Sequence, residues 1–494
     1  MLTRRRFLLG GTAIAWGSAG CAPSPREPEA EWVDDVHGRI SRTAVRRVVS
    51  VDSVSAVRRA IRRARADGRA VSISGGRHAM GGQPFGAGTL CLDTRALGRV
   101  IAFDAARGRI EVETGIQWPA LVDYLLAAQR GHPRAWGIVQ KQTGADRLTL
   151  GGALAANIHG RGLRFPPIVT DVESFVLVDA EGETRRCSRE EHPELFRLAI
   201  GGYGLFGVVT SVTLRLAPRR KLERVVEILD ADALAPAFER RIADGSLYGD
   251  FQYATDPASD DYLRTGVFSC YRPVDDATPM PETQRELSLA DWDRLLYLSH
   301  VDKRQAFEQY ARYYRSTSGQ LYWSDTHQLS VYVDRYHETL DRRLRATAAG
   351  SEVITEIYVP RPALGRFLAE VREDFRRDPV EVIYGTVRLI ERDTESVLAW
   401  AREPWACIIF NLHVTHTSAG LGQASDAFRR LIDHGRHHGG SYYLTYHRWA
   451  TRAQVEAGHP RFVEFLRQKR RHDPEERFQS DWYRHYRTMF ADVL

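Results

Sequence analysis

Gly75-Gly76-Arg77-His78-Ala79-Met80-Gly81-Gly82-Gln83 is the stretch on which the reading of this chain turns. It follows a short apolar strand, Ala70-Val71-Ser72-Ile73-Ser74. A glycine-rich loop at the end of a strand bares backbone N–H groups, and such groups can cradle a pyrophosphate. One histidine, His78, sits in its midst, close to where a bound dinucleotide would lie. Strand, glycines and histidine together point to a flavin dinucleotide, FAD, that His78 is placed to carry covalently.

Outward from the loop, the chain alternates strand and helix. Residues 47–51 read as a strand. Ser53 can cap a helix whose apolar face is Val54, Val57, Ala60, Ile61 and Ala64, with Gly68 ending it. Pro119 fits the first turn of a helix over 118–129. Residues 172–179 and 183–187 form a strand pair around Ala180-Glu181-Gly182, and 205–216 is a long apolar strand closed by Pro218. Residues 40–218 are therefore taken as one α+β cofactor domain. From 219 to 450 the chain is rich in Tyr, Trp and His. Strands at 352–359, 381–390 and 405–415 alternate with helices at 363–375 and 423–438, which suits an antiparallel sheet covered by helices on one face. Residues 451–494 form a C-terminal segment, helical and polar from about His459.

Bulk properties bound the answer. The chain has 494 residues, 43% hydrophobic and 27% charged, which calls for two or three globular domains. A net charge of +6 is modest at this length, and the arginines of 58–65 and 467–471 sit as solvated helix faces. Nothing resembles a nucleic-acid-binding motif. Five cysteines, Cys21, Cys91, Cys187, Cys270 and Cys407, follow neither a metal nor a disulfide spacing. Cys91 and Cys407 lie in apolar runs as packing residues. At the N-terminus, Thr3-Arg4-Arg5-Arg6-Phe7-Leu8-Leu9 precedes an apolar stretch too short to span a bilayer. It reads as a twin-arginine export signal, with residues 1–31 as signal and tether. The expected location is the periplasm or cell envelope, and the export machinery is an expected partner. Ser18-Ala19-Gly20-Cys21 offers a weak lipobox, so Cys21 is either a lipid anchor or close to a simple cleavage site.

Three further motifs join the first. Leu148-Thr149-Leu150-Gly151-Gly152-Ala153-Leu154-Ala155-Ala156-Asn157-Ile158-His159-Gly160 is one, with Asp146 just upstream. Gly201-Gly202-Tyr203-Gly204-Leu205-Phe206-Gly207-Val208-Val209 is the next. The last is the tail, from His459-Pro460-Arg461-Phe462 through Asp473-Pro474 to Phe478-Gln479-Ser480. In this order they resemble the vanillyl-alcohol-oxidase / p-cresol methylhydroxylase flavoproteins, nearest to sugar-lactone and alditol oxidases and to cytokinin dehydrogenase-like members. The resemblance implies an α+β fold: a two-subdomain FAD-binding domain of the p-cresol methylhydroxylase (PCMH) type plus a substrate-binding cap domain. It implies that Ser74, Gly75, Gly76, Arg77, His78, Gly82 and Gln83 hold the cofactor. With them come Asp146, Thr149, Gly151, Gly152, Asn157, His159 and Gly160, then Gly204, Gly207, Val208 and Val209. It implies that His78 attaches to the flavin 8α carbon, and that the tail returns to the cofactor domain. Arg77 stands where the family has Gly, and Ala79 where it has Ser. No cysteine lies between Gly131 and Gly151, so any covalent link is single. The layout does not suit a Rossmann fold, because no acidic residue follows a strand–GxGxxG–helix unit at the required distance.

The chemistry implied is hydride transfer from a substrate carbon to flavin N5 while a base takes the hydroxyl proton. Oxygen, a quinone or a cytochrome then accepts the electrons. Related oxidases carry an E-x-R pair on one strand; here it reads Thr386-Val387-Arg388, so the arginine is kept and the glutamate is not. Their H-W-x-K reads Arg448-Trp449-Ala450-Thr451, without the lysine. Arg388 is suited to stabilise negative charge. His413 shares a strand face with Asn411 and Thr415 and is a candidate base. Tyr446, beside His447, is the third catalytic candidate. His327 and His337 read as surface or packing residues, and no metal site is expected. The substrate is expected to be a small polar alcohol or lactol. A reading of another class is a catalytically impaired flavin-binding protein of the envelope.

Overall fold

The computed structural model describes residues 30–132, 134–330 and 335–494. The twin-arginine segment and Cys21 lie outside the described residues. Among those described, no helix is long and apolar enough to cross a membrane.

The decisive loop leaves a three-stranded parallel sheet in the order Arg47–Ser50, Leu90–Asp93, Val71–Ser74. The helix Val54–Ala66 begins where expected: Ser53 Oγ accepts from the Ala56 amide at 3.2 Å, and Val57, Ile61 and Ala64 are buried. A five-stranded antiparallel sheet follows, ordered Thr184–Ser188, Val172–Val178, Val208–Arg215, Arg109–Glu113, Val100–Asp104. The apolar strand expected from 205 starts only at Val208. Gly204 and Gly207 take φ of +73° and +148°, so the segment before Val208 is a glycine turn.

Eight strands form the second large sheet. Their order is Leu321–Trp323, Lys221–Asp230, Thr265–Pro273, Tyr248–Tyr253, Val382–Ile390, Trp405–Thr415, Gly350–Pro360, Ser441–Tyr442. The helices Leu364–Arg377 and Ser418–His437 bury their apolar stripes, including Phe367, Val371, Phe428 and Leu431, against one face. Ser418–His437 starts five residues before the expected 423. Thr417 Oγ1 caps it by accepting from the Gly420 amide at 3.1 Å, which outweighs the two glycines of the first turns. The opposite face is not left bare as a one-sided cover would leave it. A helix pair, Leu289–Val301 and Lys303–Ser316, stands over it, with Lys303 Nζ donating to the Val382 carbonyl at 2.8 Å.

The tail closes on the first sheet. Val71 donates to the Arg477 carbonyl at 2.6 Å, and Gln479 donates to the Val71 carbonyl at 2.8 Å. A buried Lys469–Asp473 pair and the Asp473 bonds to the amides of Arg477 and Phe478 hold the turn that makes this possible. Cys91, Cys187, Cys270 and Cys407 are all buried and free.

Candidate active site

A cavity of about 890 Å³ runs between the glycine loops and the face of the eight-stranded sheet over which the helix pair Leu289–Val301 and Lys303–Ser316 stands. Two loops meet at its edge so closely that side chains are excluded. A Cβ at Gly75 would lie 2.1 Å from Thr149 Oγ1, and one at Gly76 would lie 2.5 Å from the Arg147 carbonyl. The amides of Gly75, Gly76 and Arg77 find no carbonyl among the described residues. Arg77 has φ of +61°, the conformation for which glycine is usual. Its side chain compensates by reaching Asp93 at 3.5 Å and lying 5.6 Å from the Phe85 ring centre.

His78 lines the cavity, and its Nδ1 is 2.7 Å from His37 Nε2. His37 is presented by a tight turn in which Asp35 Oδ1 accepts from the amides of His37 at 2.9 Å and Arg39 at 3.1 Å. Burial, with the neighbouring His78, pushes the His37 pKa down to about 3, so its ring is neutral at pH 7.

Most of the expected cofactor residues converge here. Gly75, Gly76, Arg77, His78, Gln83, Thr149, Gly151, Gly152, His159, Gly204, Gly207 and Val209 line the cavity. Gln83 donates to the carbonyls of Leu444 and Thr445 and leaves its Oε1 buried without a partner. Bare amides, excluded side chains and this orphaned carboxamide oxygen fit a dinucleotide rich in acceptors and with its own ring N–H. The structure holds the other expected residues away from the cavity lining. Asp146 pairs with Lys141 at 2.7 Å and accepts from Ser330. Asn157 takes φ of +49° to end the helix Leu150–Ala156 and donates to Asp393 at 2.8 Å. Val208 is core; Ser74, Gly82 and Gly160 shape the loops from behind.

Across the cavity lies a carboxylate that sequence reasoning passed over. Glu356 is buried and accepts from four groups: His159 Nε2 at 2.8 Å, Tyr446 Oη at 2.8 Å, Tyr358 Oη at 2.9 Å and the Cys407 thiol at 3.6 Å. Burial by itself would raise its pKa. The charge and hydrogen bond of His159, the Arg388 guanidinium and the Tyr446 hydroxyl overcome that and hold it at about 2. Register explains the position. Glu356 and Thr386 both pair with Ile409, from opposite sides. The carboxylate absent from the E-x-R position is thus carried two strands across, on the same face. Alternation Glu352-Ile354-Glu356 in an apolar strand was the available signal.

Of the catalytic candidates, Arg388 and Tyr446 line the cavity and His413 does not. His413 Nδ1 sits 3.2 Å from Glu352 Oε1, which also receives the Tyr336 hydroxyl on its other oxygen. Of the two alternatives for His327 and His337, surface or packing, the structure shows buried positions, and both also line the cavity. His327 is wedged between the rings of Tyr248 and Tyr271, with centroids 4.7 and 4.6 Å away. Two groupings bring three ligand-type atoms within 4.8 Å, His159–Glu356–Cys407 and His300–Glu352–His413. In both, a histidine–carboxylate hydrogen bond already draws the atoms together.

Comparison with known proteins agrees with this geometry. Residues 45–188 match the family model described as an FAD binding domain. The chain is 26% identical to cytokinin dehydrogenase 4 of Oryza sativa subsp. japonica over 464 residues, covering 86% of this chain and 82% of that protein. It is 35% identical over 125 residues to the mitochondrial L-galactono-1,4-lactone dehydrogenase of Arabidopsis thaliana, a quarter of this chain and 19% of that one. An uncharacterized oxidoreductase in the fasciation locus of Rhodococcoides fascians is 30% identical over 169 residues, 34% of this chain and 37% of that protein. The chain is an FAD-dependent oxidoreductase acting on CH–OH groups, with an FAD-binding domain of the PCMH type related to those of the cytokinin and galactonolactone dehydrogenases.

Proposed function

We propose that this enzyme is exported by the twin-arginine route to the periplasm or cell envelope. There it oxidises an alcohol or lactol carbon of a polar, sugar-like substrate and delivers the electrons to oxygen. Residues 40–218 form the cofactor domain, 219–450 the substrate cap and 451–494 the returning tail. When bound, the flavin supplies a two-electron acceptor at N5. The single observation that carries the reading is the cavity itself, with glycine loops on one wall and Glu356, Arg388 and Tyr446 on the other.

Each side chain has a task that its surroundings support. The Arg388 guanidinium offsets negative charge that builds up during reduction. Glu356 stays ionised and fixes the hydroxyl of Tyr446 beside it on the cavity wall. With its own proton donated to Glu356, the Tyr446 oxygen is left to accept a hydrogen bond from a substrate hydroxyl and so to orient it. His413 acts at one remove, by orienting Glu352.

The cofactor is carried covalently on His78. The neutral His37 ring at 2.7 Å supports this, because it fixes the His78 imidazole in place without adding a positive charge beside a group that must act as a nucleophile. In-gel fluorescence of the acid-denatured protein tests it. A fluorescent band at full mass that vanishes in His78→Ala is the expected result. A dark band with yellow supernatant would refute the covalent link, and no flavin in either fraction would refute the reading as a whole.

A second reading differs in the acceptor: a dehydrogenase that passes electrons to a membrane quinone or cytochrome. The relatives' names favour it, since most are dehydrogenases. Oxygen uptake with and without an artificial acceptor separates the two.

A further inference from the structure

We propose that the substrate of this cavity carries a carboxylate, and that Arg161 and Arg388 receive it. The inference rests on the cavity being the substrate site, as set out above, and adds the charge of the ligand.

Two guanidiniums face the cavity without a hydrogen-bonded carboxylate among the described residues: Arg388, which is buried, and Arg161, which is half-buried and stacked on the Tyr271 ring at 5.0 Å. Arg388 is 6% exposed, and its Nε is buried with no hydrogen bond among the described residues. Its neighbouring carboxylate, Glu356, is already taken by His159, Tyr358 and Tyr446. Arg161 donates from Nη2 to the His327 carbonyl, its Nε is buried and unpartnered, and its Nη1 is 3.9 Å from Asp250, too far for a hydrogen bond. Both arginines line the same cavity.

The other cations of that region are satisfied. Lys141 is held by Asp146 and two carbonyls. Arg224 is held by Tyr271 and Thr317 and stacked on tyrosine rings. Of the carboxylates beside Arg161 and Arg388, Asp250 accepts from Gln252 Nε2 at 3.3 Å and stays 3.9 Å from Arg161, and Glu356 is engaged by His159, Tyr358 and Tyr446, so neither forms a hydrogen-bonded pair with either guanidinium among the described residues. A buried cation without a counter-ion is costly, and an arginine fork matches a carboxylate. Thr386 Oγ1, Gln252 Oε1 and Asn411 Oδ1 on the same sheet face are also buried and unpartnered, and are placed to bond substrate hydroxyls. The ligand class is therefore a hydroxylated carboxylate.

Calorimetric titration of the purified full chain with benzoate and with its neutral isostere benzamide tests the site. Benzoate is expected to bind at least about tenfold more tightly. The preference should collapse in Arg161→Gln and survive in Arg161→Lys, which guards against a variant that merely misfolds. Equal affinities, no heat with benzoate, or an undiminished preference in Arg161→Gln would overturn the proposal. The flavin spectrum of the same sample reports separately on the cofactor. A flavin-free protein that still prefers benzoate keeps the carboxylate site and loses the cofactor reading, and a flavin-loaded protein without preference does the reverse.

Discussion

Replacing Glu356 by Gln removes one charge and almost no volume, so its effect follows from the electrostatics of the cavity wall. The carboxyl sits at about 2 instead of the usual 4.5. At about 1.4 kcal/mol per unit, its ionised form is worth roughly 3 kcal/mol to the folded state at neutral pH. The folded pKa is depressed, so this contribution is present in full above 4.5 and is lost as pH falls toward 2. Urea unfolding of wild type and Glu356→Gln should therefore differ by about 3 kcal/mol at pH 7 and by about 2 kcal/mol at pH 3.5. A neutral amide also turns its N–H₂ toward hydroxyls and an imidazole that donate to the carboxylate, which adds to the loss at every pH. The assay needs unfolding curves at three pH values, with flavin content measured on each sample so that cofactor loss is not mistaken for lost charge. A difference under about 1 kcal/mol at pH 7, or one that grows on acidification, would refute the account of Glu356 as a carboxylate held ionised by its neighbours.

Other substitutions probe other parts of the argument. Arg388→Met should lower the rate of anaerobic flavin reduction by about 10²–10³ while leaving flavin content intact, as stopped-flow absorbance would show. Asp473→Asn strands the buried Lys469 ammonium and should cost about 3–5 kcal/mol in urea unfolding; a cost near zero would mean the tail is anchored elsewhere. Burial, with the charge of Arg402, depresses His459 to about 3, so folding gains from its neutral ring above pH 6.5 and loses that gain as the pH drops. His459→Leu should then spare about 2 kcal/mol of the stability that wild type loses between pH 7.5 and 5.

The sequence by itself determined what short-range physics governs. The glycine loop after a strand, the Ser53 cap and the strand alternation at 405–415 are each decided within a few residues, and each stands where it was read. Errors came where local and tertiary signals compete. The glycines at 204 and 207 delay an apolar strand, and Thr417 starts a helix across two glycines. Only the tertiary structure decided the chemistry of the opposite wall. Glu356 replaces a carboxylate missing at Thr386 because two strands happen to flank Ile409 in register, a relation with no trace in sequence spacing. His37 reaches His78 across 41 positions through a turn that Asp35 holds. Whether Arg161 and Arg388 are paired or left bare depends on which acids the sheet brings to them. Burial and pairing are properties of the packed molecule, and the charges that decide function are set by both.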